Sequence, residues 1–182
     1  MNHCGTKELH TNRLILRKFR LEDGDAMYQN WARDDHVTRF LTWPTHPNAD
    51  VTRMLLGYWV KNYEKQDYYN WGIELKETGE LIGNISVVQI NEEISAATLG
   101  YCMGRKWWGK GIMPEAGKAV IRYLFEEAGF NRIAATHDKN NPNSGRVMQK
   151  IGMRYEGTLR AAGKNNQGVV DEVWYGVLKD EY

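Results

Sequence analysis

The segment Arg105-Lys106-Trp107-Trp108-Gly109-Lys110-Gly111-Ile112-Met113-Pro114-Glu115-Ala116 constrains this chain more than any other. It is a short basic loop with two glycines, and it leads from an expected strand, about Ala97 to Met103, into an expected helix. In that helix Met113, Ala116, Gly117, Val120, Ile121, Leu124 and Ala128 share one face, opposite Glu115, Lys118, Arg122 and Glu126. Glycine removes side chains where a ligand must lie against the backbone, and the first turn of a helix leaves N–H groups unpaired and attractive to an anion. Pro114 suits that first turn because its missing N–H is not needed there. The expected ligand is a phosphate.

Two nucleotide loops come close and fail. From Gly104 the segment gives G-x-x-x-x-G-K and then Gly111, where a P-loop needs the Ser or Thr hydroxyl that holds magnesium. From Gly109, the third position after Gly111 is Pro114 rather than the glycine or alanine of a dinucleotide fingerprint. The early strand and parallel repeats of such a fold are also missing. Trp108-Gly109-Lys110-Gly111-Ile112-Met113 instead resembles the pyrophosphate loop of acetyl-CoA-dependent N-acetyltransferases, Gln/Arg-x-x-Gly-x-Gly/Ala. Thr11-Asn12-Arg13-Leu14-Ile15-Leu16-Arg17, Gly100-Tyr101, Asn141-Pro142-Asn143-Ser144 and Lys150-Ile151-Gly152-Met153 then fall in the order seen in the GNAT superfamily. The closest branch is the RimJ/RimL type, which acetylates the amino termini of ribosomal proteins. Trp108 replaces the usual Gln or Arg and Met113 the usual Gly or Ala, both where a backbone N–H is the working group.

The resemblance implies one GNAT domain over residues 1–182, of mixed α/β class. This GNAT acyl-CoA N-acyltransferase fold is a twisted mixed sheet with helices on both faces and two central strands splayed apart. It implies acetyl-CoA as cosubstrate and no metal. Tyr101, Cys102 and Met103 would line the pantetheine arm; Lys106, Trp108, Gly109, Lys110, Gly111, Ile112 and Met113 would hold the pyrophosphate, with Arg105 adding charge; Asn141 and Ser144 would complete the site. The acceptor is a primary amine, with a protein amino terminus as the first reading. A polyamine, an aminoglycoside or another small amine is the alternative, as is a catalytically idle acyl-CoA-binding module. RimL-like relatives are often dimers, which adds a homodimer to the expected partners.

GNAT members often carry a catalytic carboxylate in the strand before Gly100-Tyr101 and a tyrosine as general acid; Thr98 and Met148 stand there in this chain. Ser144 matches the residue that donates a proton to the leaving thiolate in the RimL-like branch, and Asn141 matches a cofactor-positioning residue. His137, at the expected carboxyl end of its strand, is the candidate base, with Glu92 and Glu93 in reserve. Their structural competitors are a hydrogen-bonded strand-end residue for His137 and a helix cap for Ser144. Cys102 has no histidine predictably beside it and reads as a buried small hydrophobe, so direct transfer in a ternary complex is expected.

Bulk properties agree with an enzyme of the cytoplasm. With 24 Lys and Arg against 23 Asp and Glu, the net charge of +1 removes the electrostatic case for a nucleic-acid or anionic-membrane binder. The 2 cysteines give no disulfide framework, and the 5 scattered histidines make no metal-ligand pair. No apolar run reaches membrane-spanning length, and Met1 to Arg20 lacks an apolar signal core.

Periodicity predicts the remaining elements. Arg13 to Lys18 reads as a strand, and Asp23 as the cap of a helix to about Ala32 with Met27 and Trp31 on one face. Asp34 to Pro47 reads as an aromatic loop. Val51, Met54, Leu55, Tyr58 and Trp59 form a helical face begun by Asn48 or Asp50. Tyr69 to Leu75 and Glu80 to Val88 form a hairpin on a Thr78-Gly79 turn, Arg132 to His137 a strand and Ser144 to Ile151 a helix. Met153 to Arg160 and Val169 to Leu178 form a closing hairpin around a loop from Ala161 to Gly168.

Overall fold

Alternation along the strands sorts the side chains onto two faces, and each face recruits its own helices. The computed structural model describes residues 1–182, with β1 Leu9–His10, β2 Leu14–Arg17, β3 Asn70–Leu75, β4 Leu81–Asn91, β5 Ala96–Met103, β6 Arg132–Asp138, β7 Arg154–Asn165 and β8 Gly168–Leu178. They form one mixed sheet in the order β1-β2-β3-β4-β5-β6-β8-β7. Only β5 and β6 run parallel.

On one face Leu14, Leu16, Ile73, Ala97, Leu99, Ile133, Ala135, Tyr175 and Val177 join the large core beneath α4 (Ile112–Glu126) and α5 (Pro142–Lys150). The buried stripe of α4 runs through Met113, Ala116, Val120, Ile121 and Leu124, as its helical spacing predicts. The other face carries a smaller cluster of Phe19, Met27, Trp31, Ala32, Val37, Leu56 and Leu81. It lies under α1 (Gly24–Met27), α2 (Asp35–Thr38) and α3 (Ala49–Asn62). No helix is long and apolar enough to cross a membrane.

Three local expectations are corrected. Asp23 does not cap a helix; its carboxylate turns back to Arg17, within a 3-10 turn, Leu21–Asp23, that precedes α1. α1 then widens into a π turn, Tyr28–Ala32, which still buries Met27 and Trp31 together. The segment from Asp34 to Pro47 is not wholly loop, because the Asp34 side chain accepts the His36 N–H and starts α2. In α3, capped by Asn48 as expected, the inward residues are Thr52, Leu56 and Asn62, whereas Met54 and Tyr58 are 72% and 65% exposed. The apolar stripe of α3 is wider than the surface it meets, so periodicity could not say which part was covered.

The closing hairpin also runs further than expected. β7 continues to Asn165 and β8 begins at Gly168, leaving Asn166 and Gln167 as the turn, with a register shift between Leu159 and Gly163. The Asn166 amide donates to the carbonyls of Thr38 and Leu41, each at 2.7 Å, so the hairpin tip is tied to the segment after α2.

A buried ionic network joins β2, β3 and the start of α1. Arg17 donates to the two Asp23 carboxylate oxygens at 2.8 and 2.9 Å and to Glu74 on β3 at 2.6 Å. The hydrogen bond from Asp23 pushes the Arg17 guanidinium above its ordinary value against burial, with help from Glu74. Asp23→Ala leaves Arg17 buried without its bidentate partner, and a loss of about 3–5 kcal/mol is expected in urea unfolding. A loss below about 1 kcal/mol would show that Glu74 and water suffice.

Candidate active site

The sheet opens where its only parallel pair ends. β5 and β6 pair from Ala96 and Arg132 to Leu99 and Ala135 and no further. Beyond that point Gly100 to Met103 keeps only β4, and Thr136 to Asp138 keeps only β8, so the facing edges carry backbone groups with no strand partner. A bulge sits beside the opening: Val88 is unpaired between the Val87–Leu99 and Gln89–Thr98 pairs, and bulges increase local twist. Val88 lies over Gly100, where an added Cβ would come within 2.8 Å of the Val88 side chain. The Gly100-Tyr101 pair is therefore built for a close approach.

On the face of α4 and α5, Tyr101 spans this fork. Its hydroxyl donates to the Ser144 carbonyl at 3.0 Å and lies 2.9 Å from Ser144 Oγ. Burial pushes the Tyr101 phenol well above its ordinary value and keeps it protonated. Either hydroxyl can be the donor in the second contact. Ser144 does not cap α5, since the helix begins at Pro142 and Asn141 holds the cap position. The Asn141 side chain makes no capping bond and is left for other partners.

The basic loop closes the carboxyl end of β5. Arg105–Trp107 forms a 3-10 turn, with Trp107 buried, and the Trp108 indole N–H donates to the Met103 carbonyl at 2.7 Å. Gly109 and Gly111 have φ of 74° and 71°, the left-handed region that costs other L residues about 1–2 kcal/mol. The N–H groups of Gly109, Lys110 and Gly111 donate to no protein acceptor, and α4 follows with the orphan N–H groups of its first turn. Ile112 and Met113 bury their side chains and offer backbone to the loop.

Two residues absent from the expected site hold this loop. Arg13 donates to the Lys110 carbonyl at 2.9 Å and to Glu115 at 2.7 Å, while Glu115 also accepts the Arg13 N–H at 2.8 Å and the Thr11 hydroxyl at 2.6 Å. Burial alone would raise the Glu115 carboxyl, but the hydrogen bonds from Thr11 and Arg13 hold it below its ordinary value. Arg13 was visible only as part of a strand motif. Its reach to a loop 97 residues away is a tertiary fact.

The expected cations divide. Arg105 pairs with Asp34 at 3.1 Å and Lys106 with Glu80 at 3.3 Å, so both point to other segments; Lys110 has no carboxylate partner. Lys106 thus forms an exposed ion pair with Glu80, and Arg13, paired with Glu115, also stands beside the loop. Cys102 faces the α1–α3 side among apolar neighbours, and burial pushes its thiol up to about 12, which leaves no thiolate for nucleophilic chemistry.

The candidate bases lie in two separate parts of the fold. His137 Nδ1 lies 2.7 Å from the Asp138 carbonyl, its ring tilts against Tyr175, and its Nε2 lies where a Cβ on Gly145 of α5 would come within 2.6 Å. The imidazole is thus packed against α5, on the face that carries Tyr175. Glu92 and Glu93 lie in the β4–β5 turn at the opposite end of β5, and Glu92 pairs with His3 at 2.7 Å. Thr98 alternates to the face opposite Ala97 and Leu99, and Met148 is 1% exposed inside the core.

Comparisons agree with this geometry. The sequence profile of the acetyltransferase (GNAT) domain matches residues 13–154. An uncharacterized N-acetyltransferase, p20, of Bacillus licheniformis is 33% identical over 96% of this chain and 97% of its own length. The [ribosomal protein uS5]-alanine N-acetyltransferase of Escherichia coli strain K12 is 30% identical over 82% of this chain and 79% of its own. The solved structure of RimL, a ribosomal L7/L12 α-N-protein acetyltransferase in complex with coenzyme A, superposes with a TM-score of 0.85 at 19% identity, covering 97% of this chain and 100% of that one, and speaks for the fold.

Two predictions test the loop. Gly111→Glu puts a strained residue and a negative charge at the start of α4, and coenzyme A affinity by calorimetry should fall roughly 100-fold, equivalent to about 2.7 kcal/mol; unchanged affinity would rule out the loop as the phosphate site. The Glu115 carboxyl is lower in the folded than in the unfolded state, so its contribution is present above pH 4.5 and lost as pH falls through the folded value. Glu115→Gln should therefore flatten the acid limb of the stability profile, and parallel acid limbs would show that the clamp contributes nothing.

Proposed function

The chain belongs to the acetyltransferase (GNAT) family, and from that premise we propose that it moves an acetyl group from acetyl-CoA to a primary amine by direct transfer in a ternary complex. The observation that carries this reading is the end of β5–β6 pairing at Leu99 and Ala135, next to a loop with free N–H groups. A pantetheine arm has amide groups of its own and can pair with the edge of Gly100 to Met103 as an added strand would. The N–H groups from Gly109 to Met113 then receive the pyrophosphate, and Lys110 and Arg13 supply the charge. RimL, solved with coenzyme A, has the same fold, which supports this use of the fork.

Each residue near the fork has a part in the transfer. A backbone N–H between Tyr101 and Met103 faces the thioester oxygen as negative charge develops on it. Ser144, oriented by Tyr101 at 2.9 Å, donates a proton to the departing sulfur. Asn141, its amide free of capping, positions the cofactor beside it. Cys102 takes no part as a nucleophile, in keeping with its raised thiol.

The acceptor we favour is a protein amino terminus. About a tenth of an α-amino group is neutral at pH 7, against well under a thousandth of a lysine side chain, so a terminal amine needs the least help at a site with no carboxylate at position 98. The kinship with a ribosomal-protein alanine N-acetyltransferase supports the same choice and a cytoplasmic place of work. Segment 34–47 and the β7–β8 hairpin, joined through Asn166, form the wall that selects the acceptor.

Thiol release from acetyl-CoA should rise when peptides bearing free amino termini are added to the purified chain, and blocked peptides should give none. Binding of acetyl-CoA without release in pools of peptides, polyamines and aminoglycosides would point to an idle acyl-CoA-binding module. Ser144→Ala should lower kcat by about 100-fold with little change in cofactor affinity. An equal loss from Tyr101→Phe would assign the effect to the orientation of Ser144.

A further inference from the structure

β6 and β8 bring two carboxylates together on the acceptor side of the fork. Asp138 and Glu172 are direct cross-strand partners, on the face opposite His137 and Tyr175. Like charges in that position repel. Neither carboxylate has a cation within ion-pair distance; the neighbouring Lys139 lies 3.9 Å from Asp171 instead. The two are held differently. Asp138 accepts the Asn140 N–H at 2.8 Å and the Asn165 amide at 2.9 Å, using both oxygens. Glu172 has only the Thr136 hydroxyl, at 3.4 Å from Oε1.

Three neighbours place Glu172 for work at the fork. Thr136 is the first β6 residue past the last β5 pair, Leu99 with Ala135, so the hydroxyl on Glu172 stands where the strands part. β7 pairs Leu159 with Glu172, and a Cβ on Gly163 would come within 2.4 Å of the Glu172 side chain, so Glu172 lies across the backbone of Gly163. Trp174, the cross-strand partner of Thr136 on the same face, has a buried indole N–H with no acceptor.

We propose that Glu172 is the group that takes the proton of the acceptor ammonium, with Thr136 as its positioning residue and Asp138 drawing the cation to the site. This assignment rests on the transferase reading above and supplies the base that neither position 98 nor His137 provides. The ammonium passes one proton to Glu172, which releases it to water. The nitrogen then attacks the thioester carbon, the C–N bond forms and the C–S bond breaks. The second proton of the nitrogen passes to the emptied Glu172 carboxylate and on to water, while Ser144 gives its proton to the sulfur and is reprotonated from water. Ser144 and Glu172 thus act from opposite faces of the sheet, with the acetyl group between them.

The test uses the full chain with a peptide acceptor that wild type acetylates. Glu172→Gln should lower kcat about 100-fold at pH 7, in the range of general-base effects, with partial recovery as pH rises and free amine accumulates. Its affinity for acetyl-CoA and its Tm should stay at wild-type values, and Glu172→Asp should regain part of the rate. Asp138→Asn, which removes the titratable group facing Glu172 from β6, should raise KM for the amine more than it lowers kcat. An active wild type alongside an equally active Glu172→Gln with the same pH profile overturns the assignment alone. A wild type that binds acetyl-CoA yet releases no thiol with any amine overturns the transferase reading and this assignment with it.

Discussion

Everything about this site depends on two parallel strands that stop pairing partway along. Buried backbone N–H and C=O groups must find partners, so an interrupted ladder in mid-sheet is a standing demand for an outside strand. The β4 bulge at Val88, the side-chain-free Gly100 beneath it and the separate loyalties of β5 to β4 and β6 to β8 create that interruption. The Tyr101–Ser144 bond spans the fork on one face and keeps it from being a simple gap. The acid of the proposed chemistry is thus part of the device that defines the opening.

Charge placement around the fork follows from which cations are already committed. Arg105 and Lys106 are paired with Asp34 and Glu80, and they fasten the loop to the segment before α2 and to the start of β4. Exposed pairs of this kind contribute little energy, but they fix direction. Lys110 remains uncommitted beside the free N–H groups, next to the Arg13–Glu115 pair. On the far face the sign reverses, with Asp138 and Glu172 uncompensated. In the proposed reaction an anionic cofactor and a cationic amine would therefore meet fields of opposite sign.

Most strands along the chain, the α4 stripe and the two glycines of the loop were legible in the sequence, because alternation, helical spacing and glycine demand leave marks at short range. The splayed strands were implied only by the family resemblance. The faces of α3, the length of the β7–β8 hairpin and the orientation of His137 were not legible. Each is decided by a neighbour on another element: α1 for α3, the Thr38–Trp43 carbonyls for Asn166, and Gly145 of α5 for His137. Sequence proximity to the Asn141-Ser144 motif put His137 near the chemistry but could not say on which side of the sheet it would stand.

The sequence by itself determined the family, through the order of its motifs, and the glycine-containing strand-to-helix junction and the amphipathic stripe of α4, because these rest on local backbone preference and on repeating apolar positions. Tertiary structure alone decided which charged groups are spent on one another and which are left for substrates. Arg13 reaches Lys110 and Glu115, Lys106 turns to Glu80, and Glu172 comes to lie beside Asp138 through register rather than through any motif. Hydrogen bonds and ion pairs are settled by distance in space, and only the folded chain sets those distances.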